Sequence, residues 1–128
     1  MVKDGDVRLQ HHTDPEIYWN GKWNPICGHY FWDNDNGAKL FCQKLGFSNG
    51  KITQGSGSQA KLTDDAIRIG KCSDSDNQLF SCTGGCNDFA QVGGHCNDND
   101  GAFCNKGAET KIEIGCFNDG MLTVLLGF

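Results

Sequence analysis

Residues 18–27 are Tyr18-Trp19-Asn20-Gly21-Lys22-Trp23-Asn24-Pro25-Ile26-Cys27, and they contain the clearest local signal for secondary structure in the chain. Asn-Gly between two apolar runs is a strong signal for a β-hairpin turn, because both residues tolerate positive φ. The pattern predicts a strand that ends near Trp19 and a partner strand that ends at Cys27. Pro25 lacks an N–H and therefore belongs at a sheet edge or near a strand end. Upstream, the alternating segment Val7-Arg8-Leu9 predicts a further short strand.

Residues 33–47 have the periodicity of a helix and not the alternation of a strand. The apolar residues of this segment fall at i, i+3, i+4 and i+7, which is one face of a helix: Ala38, Phe41, Cys42 and Leu45. Asn34 or Asn36 can cap the start of this helix, and Gly46 is placed to end it. The spacing therefore predicts one short helix with Cys42 on its buried face.

The remaining segments predict short strands and long loops. Residues 48–60 are rich in Gly, Ser and Gln, and we expect a mobile loop there. Residues 66–69 alternate and predict a strand that leads to Cys72. Residues 110–126 predict a C-terminal β-hairpin around the turn Asn118-Asp119-Gly120.

Composition limits the class of protein. The chain has 128 residues, of which eight are cysteine, and a formal net charge of −5. Eight cysteines in so short a chain indicate an oxidising compartment, so we expect a secreted or extracellular domain. A cytosolic zinc protein is the alternative, but the closest cysteines are Cys82 and Cys86 at C-x3-C spacing, without a second tight pair. No basic stripe and no long apolar run occur, so we expect no nucleic-acid binding and no membrane span.

Three stretches together resemble one known family. They are Val7-Arg8-Leu9 followed by the turn and Ile26-Cys27; Trp32-Asp33 opening a helix that carries Leu40-Phe41-Cys42; and the later cysteines that end in Gly101-Ala102-Phe103-Cys104. This order is similar to the scavenger receptor cysteine-rich (SRCR) family, with a six-cysteine-like pattern and two extra cysteines. Where the family has Gly after the tryptophan of its W-G-T-V-C stretch, this chain has Asn24.

The resemblance implies a fold and a domain division. It implies a small disulfide-rich α+β domain, mostly β, in which a curved antiparallel sheet cradles one α-helix. We expect an SRCR-like domain over residues 1–104 and a C-terminal β-hairpin extension over residues 105–128. Much of the core would come from five residues: Trp19, Trp23, Phe41, Leu45 and Phe47.

The resemblance also implies a disulfide pattern that the sequence alone cannot select, since eight cysteines allow many pairings. It implies Cys27–Cys96, Cys42–Cys104 and Cys72–Cys82. This leaves Cys86 and Cys116 as a fourth pair, which would tie the C-terminal extension to the long loop.

The chemistry of the chain points to binding and not to catalysis. No catalytic sequence pattern occurs, and the family consists of non-enzymatic modules, so we expect no enzyme activity. Members of the family commonly bind Ca²⁺ through acidic residues. The matching candidates are Asp64, Asp65, Asp98 and Asp100, with Asp33 and Asp35 as weaker ones. The alternative is that these carboxylates only cap turns.

We therefore expect an extracellular recognition or adhesion module that binds a protein or an anionic ligand, with Ca²⁺ as an assisting cofactor. The apolar tail Met121-Leu122-Thr123-Val124-Leu125-Leu126-Gly127-Phe128 suggests a second hypothesis. Such a strand is too apolar to remain an exposed sheet edge. It either packs on its own domain or adds to a neighbouring copy, which would make the protein a self-assembling homo-oligomer, filament or matrix subunit.

Overall fold

A computed structural model describes residues 1–19, 21–28, 30–55, 62, 66–82 and 111–119. In chain order its strands are β1 (Val7–Gln10), β2 (Asp14–Trp19), β3 (Lys22–Cys27), β4 (Asn49–Gln54), β5 (Ile67–Arg68) and β6 (Glu113–Phe117). The helix α1 spans Asn36–Lys44, and short 3₁₀ turns occupy Phe31–Asp33 and Leu79–Ser81. The expectation of a small, disulfide-bonded, mostly β domain with one α-helix is confirmed for the described residues.

The strands form two sheets. The first has the order β1-β2-β3-β5 and the second pairs β4 with β6. The hairpin predicted from Asn20-Gly21 is confirmed, because β2 and β3 pair antiparallel with Trp19 opposite Lys22. β3 and β5 pair in parallel, and only over Ile26 and Cys27, so Pro25 lies just outside that pairing.

The helix ends at the predicted residue, but its N-cap is Asp35 and neither of the expected caps, Asn34 and Asn36, and the Asp35 side chain makes no capping hydrogen bond. Asn34 Oδ1 accepts a hydrogen bond from the Asn36 amide at 2.9 Å, and Gly46 has a φ of 98° directly after the last turn. The Phe47 amide donates to the Cys42 carbonyl at 3.0 Å, which closes the helix end. Phe41 and Cys42 are fully buried, as the helical periodicity indicates.

The core lies among α1, the inner face of the first sheet and the β4–β6 pair, which contributes the buried Ile114. Ile17, Ile26 and Phe41 are its buried centre, and Val7, Leu9, Trp19 and Leu45 pack against it from the margin. Two of the residues expected in the core lie elsewhere. Phe47 follows the helix end and is 37% exposed. Trp23 lies opposite Tyr18 on the outer face, because side chains alternate between the two faces of a strand.

Part of the expected loop over residues 48–60 is a strand. β4 pairs with β6 in the register Gly50↔Cys116 and Ile52↔Ile114. A Cβ on Gly50 would collide with Cys42 Sγ and lie 2.6 Å from the Ala38 carbonyl oxygen, so the glycine lets α1 pack directly on β4. Tertiary packing of this kind overrides the low strand propensity of the segment. Residues 56–60 lie outside the described residues.

One expected disulfide is present and two expectations are corrected. Cys72 and Cys82 are bonded, as the resemblance implies. Cys42 is bonded to Cys116, with the two Cα atoms 5.3 Å apart, so the expected Cys42–Cys104 and Cys86–Cys116 pairs are wrong in this structure. The reason is the β4–β6 register, which sets Cys116 opposite Gly50, where Cys42 Sγ packs.

The remaining expected disulfide involves a cysteine that lies outside the described residues. Cys27 is fully buried at the end of β3. Its expected partner, Cys96, lies outside the described residues, as do Cys86 and Cys104. The second strand of the expected C-terminal hairpin, with the tail 121–128, also lies outside them. In the described part of the chain, no helix is long and apolar enough to cross a membrane.

Candidate functional site

The outer face of the first sheet carries a cluster of large side chains. Arg8 lies opposite Glu16 across the β1–β2 pair, and Tyr18 lies opposite Trp23 across the β2–β3 pair. Because residues two apart share a face of a strand, these four side chains emerge on the side away from the core. We call Arg8, Glu16, Tyr18 and Trp23 the outer-face cluster.

The members of the outer-face cluster hold one another in place. The Arg8 guanidinium lies 4.4 Å from the centroid of the Trp23 ring, and Arg8 Nη2 lies 2.7 Å from Glu16 Oε1. Tyr18 and Trp23 make an edge-to-face contact with their ring centroids 5.3 Å apart. Arg8 keeps 40% of its side chain exposed, so the cluster is ordered and still accessible. Such fixed aromatic and arginine side chains lose little conformational entropy on binding.

Asn24 supports the cluster from the inner face. Its side chain is fully buried, and its Nδ2 donates to the carbonyl oxygens of Ile17, Trp19 and Lys22 at 3.3, 3.2 and 3.1 Å. These carbonyls belong to both strands of the hairpin, so the amide ties β2 to the start of β3. The Asn24 amide therefore fixes the hairpin on which Tyr18 and Trp23 stand.

A tight turn joins β1 to β2 at the other end of this face. His11 and His12 have φ values of 54° and 70°, and the Thr13 amide donates to the Gln10 carbonyl at 3.2 Å. Histidine adopts positive φ more readily than most non-glycine residues. The turn is held against β6, because the Ile114 amide donates to the Thr13 carbonyl at 2.9 Å.

A depression of about 240 Å³ opens beside this turn, and we call it the turn pocket. Its apolar floor is made by Ile26, Leu62 and Ile112, all nearly fully buried. Asp14 lines its polar side, with Lys111 Nζ at 2.7 Å and His11 Nδ1 at 3.5 Å from the carboxylate. Pockets with an apolar floor and a few fixed polar groups are the usual form of binding sites.

Charge is balanced across this surface. Glu16 neutralises Arg8, and Asp14 neutralises Lys111, each at 2.7 Å. The outer-face cluster and the turn pocket share Glu16, so they are continuous. The surface therefore presents shape, aromatic area and paired charges, with no excess of positive charge to attract a polyanion.

The acidic residues predicted as metal ligands are not brought together where the structure describes them. Asp33 lies 3.9 Å from Lys71 Nζ, whereas Asp35 Oδ1 accepts a hydrogen bond from the Ile52 amide at 2.9 Å. Each carboxylate thus has a different partner, and the two do not fit a common cation. Asp64, Asp65, Asp98 and Asp100 lie outside the described residues. Within the described ranges, no three His, Cys, Asp or Glu side chains are grouped closely enough to hold a metal ion.

The sequence interpretation did not identify the outer-face cluster, since it assigned these aromatics mainly to the core. A usable signal was present in the hairpin register. A two-residue turn at Asn20-Gly21 sets Tyr18 opposite Trp23, and opposite residues share a face. Since Ile17 and Ile26 must face the core, the faces of Tyr18 and Trp23 follow from alternation.

Two curated proteins resemble part of the chain. The chain is 47% identical to macrophage receptor MARCO of Mesocricetus auratus over 51 residues, which is 39% of this chain. It is 42% identical to galectin-3-binding protein of Bos taurus over 53 residues, which is 38% of this chain. The matched segments span 10% and 9% of those two proteins, so the chain corresponds to a small part of each.

A solved structure and a family model also match this chain. The SRCR domain of mouse MARCO, in its dimeric crystal form, aligns with a TM-score of 0.46 and 26% identity, covering 86% of this chain and 93% of that one. The family model of the scavenger receptor cysteine-rich domain matches residues 8–106, well over half of the chain. The chain therefore belongs to the scavenger receptor cysteine-rich family.

Proposed function

We propose that this domain is a non-enzymatic extracellular recognition module that binds a protein partner through the outer-face cluster and the turn pocket. The observation that carries the proposal is the ordered contact of Arg8 with Trp23 and of Trp23 with Tyr18 on an accessible sheet face. Tryptophan, tyrosine and arginine are the residues enriched where protein interfaces concentrate their binding energy. Membership in the family and the receptor named among its relatives agree with this role.

A protein partner fits this surface better than a polyanion does. A polyanion needs uncompensated basic side chains, whereas Arg8 and Lys111 are each paired with a carboxylate at 2.7 Å. The turn pocket, with its floor of Ile26 and Ile112, can instead receive one apolar side chain of a partner. The paired charges around the turn pocket then fix the orientation of the bound partner and disfavour partners whose charges do not match.

A display screen tests this proposal. A fluorescent tetramer of the wild-type domain is incubated with cells that each display one extracellular protein, and the screen is repeated with Trp23→Ala. We expect wild-type binding to at least one displayed protein, and a loss of roughly 30-fold in affinity for Trp23→Ala, which corresponds to about 2 kcal/mol at a central aromatic residue.

The matched control is Phe80→Ala. Phe80 is an aromatic residue with 37% exposure that belongs to neither the outer-face cluster nor the turn pocket. This variant should bind as the wild type does. Equal binding of wild type and Trp23→Ala to the same protein would contradict the assignment of the surface.

We also propose, from the family resemblance and the acidic residues alone, that Ca²⁺ assists binding through Asp64, Asp65, Asp98 and Asp100. Carboxylate oxygens are the ligands that Ca²⁺ prefers. Calorimetric titration of the domain with CaCl₂ tests this, with Asp64→Ala/Asp65→Ala as the variant. Heat in the wild type that disappears in the variant is the expected result, and absence of heat in both would refute it.

The alternative function is self-assembly through the apolar tail, residues 121–128. The supporting observation is that β6 ends at Phe117, which is 39% exposed, only a few residues before the tail begins. Size-exclusion chromatography of the full chain and of a chain that ends at residue 120 separates the two functions. Equal monomeric sizes would refute assembly, whereas tail-dependent oligomers would support it.

A further inference from the structure

A second surface, separate from the outer-face cluster, lies along helix α1. Three shallow depressions of about 270, 250 and 490 Å³ run between α1 and residues 71–80. The first and second share Leu40, Gln43 and Asn77, and the second and third share Asn36, Ser73 and Asp74. The three are therefore continuous, and we call them the α1 groove. Between Asn36 and Lys44 the helix rises roughly 12 Å, which sets the length of one wall.

The second wall of the α1 groove is fixed. The Cys72–Cys82 disulfide closes it, and Asn36 Nδ2 donates to the Cys72 carbonyl at 3.1 Å across the groove. Within this wall the Ser73 amide donates to Asp76 Oδ2 at 2.8 Å, and the Asp76 amide donates to the Ser73 carbonyl at 3.1 Å. A ligand that enters the groove therefore meets a wall that is already ordered.

The lining of the α1 groove is polar. It carries Lys39, Lys44 and Lys71 against Asp74 and Asp76, and Asp33 lies 3.9 Å from Lys71 Nζ at the margin of the groove. Its apolar members, Leu40 and Leu79, are buried at 8% and 3% exposure and offer no open apolar pocket. In the middle of the groove the side chains of Lys39, Asp74 and Asn77 make no hydrogen bond or ion pair to any described residue. One cation, one anion and one amide thus remain available to a ligand, as donors and as acceptors.

One end of the α1 groove carries an aromatic ring. Phe80 is 37% exposed, and Lys44 Nζ lies 5.7 Å from its ring centroid. The ring adds an apolar surface to an otherwise polar groove. This combination matches a ligand whose hydroxyl groups both donate and accept hydrogen bonds and whose ring faces carry C–H groups.

We propose that the α1 groove binds a neutral oligosaccharide. A protein segment lacks anchoring pockets here, since Leu40 and Leu79 are covered. A polyanion would meet three carboxylates, those of Asp33, Asp74 and Asp76, together with the three lysines of the groove. Sugar hydroxyls pair with Asn77, Asp74 and Lys39, and a terminal ring packs against Phe80. This site shares no lining residue with the turn pocket, so it is independent of the proposed function.

A glycan array tests the proposal. The array carries neutral hexose and N-acetylhexosamine oligosaccharides together with sialylated and sulfated ones, and it is probed with the full chain. We expect retention on at least one neutral oligosaccharide. Asp74→Ala/Asn77→Ala should raise the Kd for that oligosaccharide at least tenfold in calorimetry, because it removes both an acceptor and an amide from the centre of the groove.

Two controls keep the outcomes distinct. Both substituted side chains are exposed and make no hydrogen bond to a described residue, so the variant should retain the wild-type stability. Trp23→Ala should bind the oligosaccharide as the wild type does, and Asp74→Ala/Asn77→Ala should keep the protein partner found by the display screen. Retention of sulfated or sialylated glycans alone, of no glycan, or of neutral glycans equally by the groove variant would overturn the proposal.

Discussion

The buried amide of Asn24 allows a quantitative test of how the hairpin is held. Its Nδ2 carries two hydrogens and faces three carbonyl oxygens at 3.1 to 3.3 Å, in a side chain with 0% exposure. A buried hydrogen bond contributes about 1 kcal/mol net, and an abandoned buried acceptor costs about 1 to 3 kcal/mol. We therefore expect Asn24→Ala to lower the free energy of unfolding by about 2 to 3 kcal/mol.

Asn24→Asp tests the role of the Nδ2 donor alone, because it removes the donor while nearly keeping the size and shape of the side chain. The introduced carboxylate has nearly the volume of the amide but can only accept when ionised, and it faces three other acceptors. An unpaired buried charge costs about 3 to 5 kcal/mol, so at pH 7 Asn24→Asp should destabilise the domain more than Asn24→Ala does.

The two variants should also differ in their response to pH. Burial beside carbonyl oxygens raises the folded-state pKa of the introduced carboxyl above its unfolded value of about 4. The introduced carboxyl therefore binds a proton more tightly in the folded state than in the unfolded state. As the pH falls through the folded-state pKa, the loss of unfolding free energy in Asn24→Asp should become smaller. Asn24→Ala should show no such change relative to the wild type.

Equilibrium unfolding in urea with the disulfides intact measures these differences. The matched controls are Asn77→Ala and Asn77→Asp, since Asn77 is exposed and makes no hydrogen bond to a described residue. These should change the free energy of unfolding by no more than about 0.5 kcal/mol. If Asn24→Asp is as stable as Asn24→Ala at pH 7, or if both match the wild type, the role assigned to the amide is refuted.

Three further predictions concern the rest of the framework. Peptide mapping by mass spectrometry under non-reducing conditions should find Cys42 linked to Cys116 and Cys72 linked to Cys82, and a Cys42–Cys104 peptide would contradict the β4–β6 register. Gly50→Ala should destabilise the domain by about 1 to 3 kcal/mol through overpacking against α1, while Gly115→Ala, whose added Cβ would meet only the Thr53 methyl at 3.3 Å, should cost less in the same urea titration. Lys111→Met should lower the free energy of unfolding by about 1 kcal/mol, because it leaves the Asp14 carboxylate without its partner at 2.7 Å. In a double-mutant cycle with Asp14→Asn, the double variant should lose less stability than the sum of the two single variants. Fully additive losses would show that the pair is not coupled.

Local signals in the sequence were sufficient for the hairpin and the helix. Asn20-Gly21 determines a two-residue turn by its own backbone preferences, and Gly46 ends α1 in the same way. β4 could not be predicted from its own residues, because its strand character comes from β6, which follows it only after the whole of residues 55–112, and from the close approach of α1 at Gly50. The partner of Cys42 depends on the same long-range register, so the family pattern of cysteine order selected the wrong residue.

The candidate site was predictable only in part. Aromatic residues near the hairpin were evident, but the sequence interpretation placed Trp23 in the core, because a large ring is more often buried than exposed. The pairing of Arg8 with Glu16 and the approach of Lys111 to Asp14 depend on tertiary contacts between distant segments. The α1 groove likewise requires the Cys72–Cys82 loop to lie along the helix, which neither segment indicates alone.

The two described disulfides differ in when they can form during synthesis. Cys72 and Cys82 are ten residues apart, so both thiols emerge almost together, whereas Cys116 follows Cys42 by 74 residues. At roughly 5 to 20 residues per second, the Cys42 thiol waits roughly 4 to 15 s for its partner while other cysteines of the chain are already present. The fold thus leaves its helix cysteine open to mispairing until β6 has been synthesised, and disulfide exchange can then correct such errors.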